Sequence, residues 1–177
     1  TRYGVIQIFT AGNRDGMKES YTRAMLPYFR PDAEKYWLNV TGQLEGDTQR
    51  YNTPGHSKWW SVAAPAKPIY STVVDLKTGK ADYGTKGGTS MAAPHVTGAL
   101  GVIMQRYPYM NNAQIREVLL TTTRQVHDDF KEPADTRKIS GFSAALGVPD
   151  ERWGWGVVDL YKAMFGPGQL LGVVDVN

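Results

Sequence analysis

Gly88-Thr89-Ser90-Met91-Ala92-Ala93-Pro94-His95-Val96-Thr97-Gly98 is the stretch on which the reading of this chain turns. It opens a predicted helix that starts near Ser90 and runs to about Arg106, with Pro108 ending it. Ala92, Ala93, Gly98, Ala99 and Gly101 are small, which permits the helix to sit tightly inside a core. A serine at a helix start is ordinarily an N-cap. Two features add a chemical reading. Gly87 and Gly88 let backbone approach a ligand closely. The helix N-terminus also presents free N–H groups and partial positive charge, which suits the oxyanion of an acyl-transfer transition state. Pro94 is expected in the first turn, where a missing N–H does no harm.

Working outward, Val5-Ile6-Gln7-Ile8-Phe9 reads as a buried strand stopped by Ala11-Gly12-Asn13. Met25-Leu26-Pro27-Tyr28-Phe29 suggests a loop with aromatic anchors, and Tyr36-Trp37-Leu38-Asn39-Val40-Thr41 a second strand. Residues 45–58 are polar and turn-rich. Val62-Ala63-Ala64-Pro65 and Ile69-Tyr70-Ser71-Thr72 read as short strands, with Pro65 and Pro68 breaking the path between them and a turn over 75–79. A second helix has Asn111 or Asn112 as its N-cap and carries Ile115, Val118, Leu119 and Leu120 at helical spacing. Residues 124–152 read as a polar surface excursion. A last helix spans 157–165 and ends at Gly166-Pro167-Gly168. Strands mixed with helices point to an α/β fold.

The 177 residues suit one domain or a large piece of one, and 41% hydrophobic content supports a sizeable core. A net charge of +3 without clustered Lys and Arg argues against a nucleic-acid partner. The apolar runs near 99–104 and 170–174 are too short to cross a bilayer, and no signal peptide opens the chain. The absence of cysteine excludes disulfides, thiol catalysis and Cys-zinc sites. No Asp-rich loop is visible, so neither a metal nor a cofactor is expected.

The 88–98 stretch resembles the serine motif of the subtilisin-like serine proteases. It is not a G-x-S-x-G elbow, because position 92 is alanine. Ile8-Phe9-Thr10-Ala11-Gly12-Asn13 resembles the family's strand ending in Ala-Gly-Asn, and residues 61–72 its strand pair before the serine loop. The resemblance implies a subtilisin-like three-layer α/β fold with a mostly parallel sheet, of which only the C-terminal part is present. It also implies Ser90 as nucleophile and the Asn13 side-chain amide as oxyanion donor. Loss of such a donor costs about 100- to 1,000-fold in rate in subtilisin itself. Thr10, Ala11 and Gly12 would line part of the pocket for the substrate side chain. The substrate is a protein or peptide.

Ser-His-Asp catalysis also needs a base and a carboxylate to orient it. No Asp-Ser-Gly, Asp-Thr-Gly or His-Gly-Thr motif occurs here. His95 follows Ser90 by five residues, about 140° around a helix, and by resemblance is structural. His56 sits in a turn and His127 in the polar excursion. The family's chain order is Asp, then His, then Ser, so the resemblance implies that the Asp and His lie in an N-terminal partner segment upstream, and this chain alone is expected to be inactive. The competing reading is a non-catalytic subtilase-like fragment or peptide-binding scaffold module.

Residues 106–123 and 153–171, with Trp153-Gly154-Trp155-Gly156 opening the second, resemble the autotransporter subtilases of Gram-negative bacteria. That resemblance implies a secreted or cell-surface passenger, tied to the outer membrane only through a separate C-terminal β-barrel. Residues 1–168 would form the C-terminal portion of the catalytic domain, and 169–177 the start of a linker.

Overall fold

The computed structural model describes residues 3–49, 51–126, 149–166, 168 and 170. Strands β1 (Gln7–Thr10), β2 (Trp37–Leu44) and β3 (Ser61–Lys67) form a parallel sheet in that order. Ile8 pairs with Leu38, and Val40 with Val62. The segment after Trp153 continues the sheet beyond β3: Ala63 N–H donates to the Gly156 carbonyl at 2.8 Å, and Val158 N–H to the Ala63 carbonyl at 2.9 Å.

The period-two alternation of the strands sorts side chains between two faces. Leu38 and Val40 of β2, with Val62, Ala64 and Ala66 of β3, face the helices. They meet Val96, Ala99 and Ile103 of helix α2 (Thr89–Arg106), and Ile115 and Leu119 of α3 (Asn112–Thr121). The other face carries Asn39, Thr41 and Ser61, all fully buried. Such groups are tolerated in a core only when hydrogen-bonded. Asn39 Nδ2 donates to Ser20, Ser57 and Ser61 Oγ at 2.7, 2.8 and 2.9 Å. Turns, including the 3₁₀ helix Gly55–Trp60, cover this face among the described residues.

Several boundaries differ from the sequence expectation. Met25–Phe29 is not an anchored loop: Leu26–Phe29 is a short helix (α1), with Tyr28 and Phe29 exposed. Pro65 lies inside β3, opposite a register shift at Gln43/Leu44, so Pro68 alone breaks the path. An unforeseen strand β5 (Ala81–Lys86) pairs antiparallel with β4 (Ile69–Val74). Its polar, glycine-containing sequence carries no strand signal by itself, and the cross-strand ladder creates it. Val157 is extended, and the last helix, α4 (Leu160–Phe165), starts later at the Asp159 cap. Of the 124–152 excursion, residues 127–148 lie outside those described, as does most of 169–177.

Helix α2 is also less enclosed than its small residues suggest. Ala92, Val96, Ala99 and Ile103 form its buried stripe at spacings of four, three and four. Gly98 and Gly101 lie on the opposite, exposed face, where an added Cβ would meet nothing within 4 Å.

Candidate active site

Ser90 is the second residue of α2, not its cap; Gly88 holds the cap position without a side-chain bond. Gly88 has φ +143°, a conformation costly for any residue with a Cβ. Placing the serine inside the first turn leaves its backbone N–H among the unpaired donors at the helix start. The hydroxyl is exposed and has no hydrogen-bond partner among the described residues. Pro94 stands four residues further on, as the sixth residue of the helix and so beyond the expected first turn. It therefore lacks the N–H that would bond the Ser90 carbonyl, and loosens the turn that carries the serine.

Two grooves meet at Ser90. One, of about 470 Å³, lies between α2 and the β4–β5 hairpin and is lined by Tyr70, Ser71, Lys86, Ser90, Met91 and His95 among others. The second, of about 400 Å³, is lined by Ile8, Thr10, Ser90, Ala93, Pro94 and Thr97. An extended chain crossing Ser90 has room on both sides.

Asn13 lies beside the serine. Its Oδ1 accepts from the Thr89 N–H at 2.8 Å and from Thr89 Oγ1 at 2.8 Å. An amide whose oxygen is held by two donors cannot turn over without losing both. The Nδ2 end is thereby kept free, close to the Gly88 backbone: a Cβ built on Gly88 would stand 3.2 Å from it. Two groups with free N–H, Nδ2 of Asn13 and the backbone N–H of Ser90, thus stand at the start of α2, Asn13 being bonded to Thr89, the residue before the serine. Of the other expected site residues, Thr10 shares a groove with Ser90. Ala11 is buried, and neither Ala11 nor Gly12 lines either groove.

Sequence reasoning assigns Thr89 no role. It is fully buried and reaches a residue 76 positions away. Its place next to Ser90 is visible in the sequence; its partner is not.

Neither histidine among the described residues is hydrogen-bonded to Ser90. His95 Nδ1 donates to the Met91 carbonyl within its own helix at 2.8 Å, and it shares a groove with Ser90 without a hydrogen bond to it. His56 is a surface residue, as its turn setting suggests, with Nδ1 2.5 Å from Glu19 Oε1. His127 lies outside the described residues.

The description "Subtilase family" belongs to the family model that matches residues 1–156. The chain belongs to the subtilase family. Among curated subtilase relatives, an extracellular serine protease of Serratia marcescens is 32% identical over 194 residues, covering 99% of this chain and 17% of that protein. The Neisserial autotransporter lipoprotein NalP of Neisseria meningitidis serogroup B is 31% identical over 176 residues, covering 90% of this chain and 14% of that protein. Among solved structures, fervidolysin from Fervidobacterium pennivorans, a keratinolytic enzyme related to subtilisin, superposes with a TM-score of 0.64 at 27% identity, over 97% of this chain and 24% of that one. The chain thus spans less than a fifth of the length of these two curated subtilases. Its parallel sheet and helices are a part of the subtilisin-like α/β fold.

Proposed function

We propose that this chain is the C-terminal portion, residues 1–168, of the catalytic domain of a serine endopeptidase, with Ser90 as nucleophile. The observation that carries the reading is the exposed, unpartnered Ser90 hydroxyl at the start of α2, one residue after Thr89, to which the Asn13 amide oxygen is bonded. In this scheme Ser90 Oγ forms a bond to the carbonyl carbon of the scissile peptide while its proton passes to a histidine upstream of this chain. The carbonyl oxygen becomes an oxyanion held by Asn13 Nδ2 and Ser90 N–H. Collapse breaks the C–N bond, and the leaving amine takes the proton from the histidine. Water then repeats the sequence on the acyl-enzyme and regenerates the Ser90 hydroxyl.

Neither His56 nor His95 is hydrogen-bonded to Ser90, and this supports placing the base and its aspartate in an N-terminal segment of the parent protein. β1 has a hydrogen-bonded neighbour on one side only among the described residues, and the Gly98–Gly101 face of α2 is open. Both are suited to receive that segment. Thr10, which shares a groove with Ser90, borders the substrate side chain before the scissile bond. The relatives, an extracellular serine protease and an autotransporter lipoprotein, support a secreted or cell-surface location, and with it the proposal includes a linker beginning near 169 and a separate C-terminal β-barrel.

The test is labelling by a fluorophosphonate probe, in this chain alone and in the full-length parent, followed by peptide mapping. Labelling at Ser90 in the parent only is the expected result. Ser90→Ala should abolish labelling and peptide cleavage without unfolding the protein. Labelling of the isolated chain would place the base within these residues. No labelling in either would favour a non-catalytic module.

A further inference from the structure

Asn52 falls in the polar 45–58 stretch, which the sequence marks only as turn-rich. We propose that Asn52 is a positioning residue for the Asn13 amide, clamping the backbone on both sides of it. On the residue before, Asn52 N–H donates to the Gly12 carbonyl at 3.2 Å. On the residue after, Arg14 N–H donates to Asn52 Oδ1 at 2.8 Å. Asn13 itself, between these two grips, is exposed. The remaining groups of Asn52 anchor the clamp. Its Nδ2 donates to the Glu19 carbonyl at 2.7 Å, and its own carbonyl accepts from Thr41 Oγ1, on strand β2, at 2.7 Å. Asn52 is fully buried, so every one of its polar groups is satisfied by protein.

The packing agrees with the hydrogen bonds. Gly12 has φ +124°, and a Cβ there would stand 2.7 Å from Asn52 Oδ1 and 2.8 Å from Tyr21 Cε2. The loop lies directly against the Asn52 side chain. An asparagine suits the position because one planar group must accept from an N–H and donate to a carbonyl at once. Thr89 orients the Asn13 amide, and Asn52 sets where the amide starts from. A donor aimed at a developing oxyanion matters in the transition state and little in substrate binding.

This inference rests on Asn13 being the oxyanion donor. The test uses the full-length parent with a chromogenic peptide. Asn52→Ala should lower kcat by roughly 10- to 100-fold, the range expected for a misplaced catalytic group, while KM changes by less than about 2-fold. In an Asn13→Ala background the same change should lower kcat by less than about 2-fold, because the group it positions is gone. Asn52→Ser serves the same cycle if the alanine variant fails to fold. Equal losses in both backgrounds would make Asn52 a general structural residue and overturn the proposal, as would an unchanged kcat. A second readout is independent of activity. Amide exchange at Arg14 should accelerate by at least roughly 10-fold in the Asn52 variant while Ala63, bonded to Gly156, is unchanged; unchanged exchange at Arg14 refutes the clamp. A wild-type parent that neither labels at Ser90 nor cleaves peptide would refute the assignment of Ser90 and Asn13 instead, and the exchange measurement would still decide the clamp.

Discussion

Replacing Thr89 by valine removes one hydroxyl and keeps the β-branched shape. In the native chain Asn13 Oδ1 accepts two bonds from Thr89, from N–H and from Oγ1, each at 2.8 Å. The variant keeps the first and loses the second. A neutral hydrogen bond of this kind contributes about 0.5–1.5 kcal/mol net. If that energy is what keeps Nδ2 aimed at the oxyanion, its loss lowers kcat by about 2- to 12-fold at 25 °C. Removing the donor altogether with Asn13→Ala should cost about 100- to 1,000-fold. The separation between these two ranges makes the experiment decisive. KM should hold within about 2-fold, because the interaction is made in the transition state. Thr89 is buried, so folding must be checked by urea titration; a stability change within about 1 kcal/mol is expected, since one hydrogen bond is exchanged for an apolar methyl. The assay is steady-state hydrolysis of a chromogenic peptide by the full-length parent. The reasoning is refuted if Thr89→Val loses as much as Asn13→Ala, or if its loss in kcat persists in an Asn13→Ala background.

Two further outcomes concern stability and can be read by denaturation. Arg124 donates to both Asp47 carboxylate oxygens, at 2.9 and 2.8 Å, and this hydrogen bonding, reinforced by Gln43 and by the guanidinium charge, holds the Asp47 carboxyl below its ordinary 3.8. A depressed folded-state pKa stabilises fully above the unfolded value and is lost as pH falls through the folded one. Arg124→Gln should therefore destabilise by at most about 1 kcal/mol near neutral pH, the pair being partly exposed, and the difference from wild type should vanish as pH falls well below 3.8. A difference that grows on acidification would contradict this. Asn111 caps α3 by accepting from the Gln114 N–H at 3.0 Å, while the Gln114 side chain accepts from the Asn111 N–H at 3.0 Å. Asn111→Ala should cost about 1 kcal/mol in urea denaturation and Asn112→Ala should not remove the cap, so equal cap losses at both positions would argue against this assignment.

Sequence alone determined the elements whose causes are local. The strand at 5–9, the N-cap at Asn111 or Asn112 and the helix from about 90 to 106 depend on short-range patterning, and all three lie within a position or two of where the residues put them. The motif at 88–98 and the Ala-Gly-Asn stretch marked the family by resemblance, which rests on adjacent residues alone. Tertiary structure decided what depends on partners far along the chain. β5 has no signal of its own and exists because Tyr83 and Thr85 find Thr72 and Tyr70 across a ladder. Val157 reads as helical but is held extended by Ala63 and Arg124. Gly98 and Gly101 suit a crowded helix, yet face the open side, because burial is set by which neighbours are present. The oriented amide of Asn13 is the clearest case. Its chemistry is legible in one residue, but the direction of its donor is set by Thr89, 76 residues away. A hydrogen bond of that separation forms only once the sheet has brought the end of β1 against the start of α2.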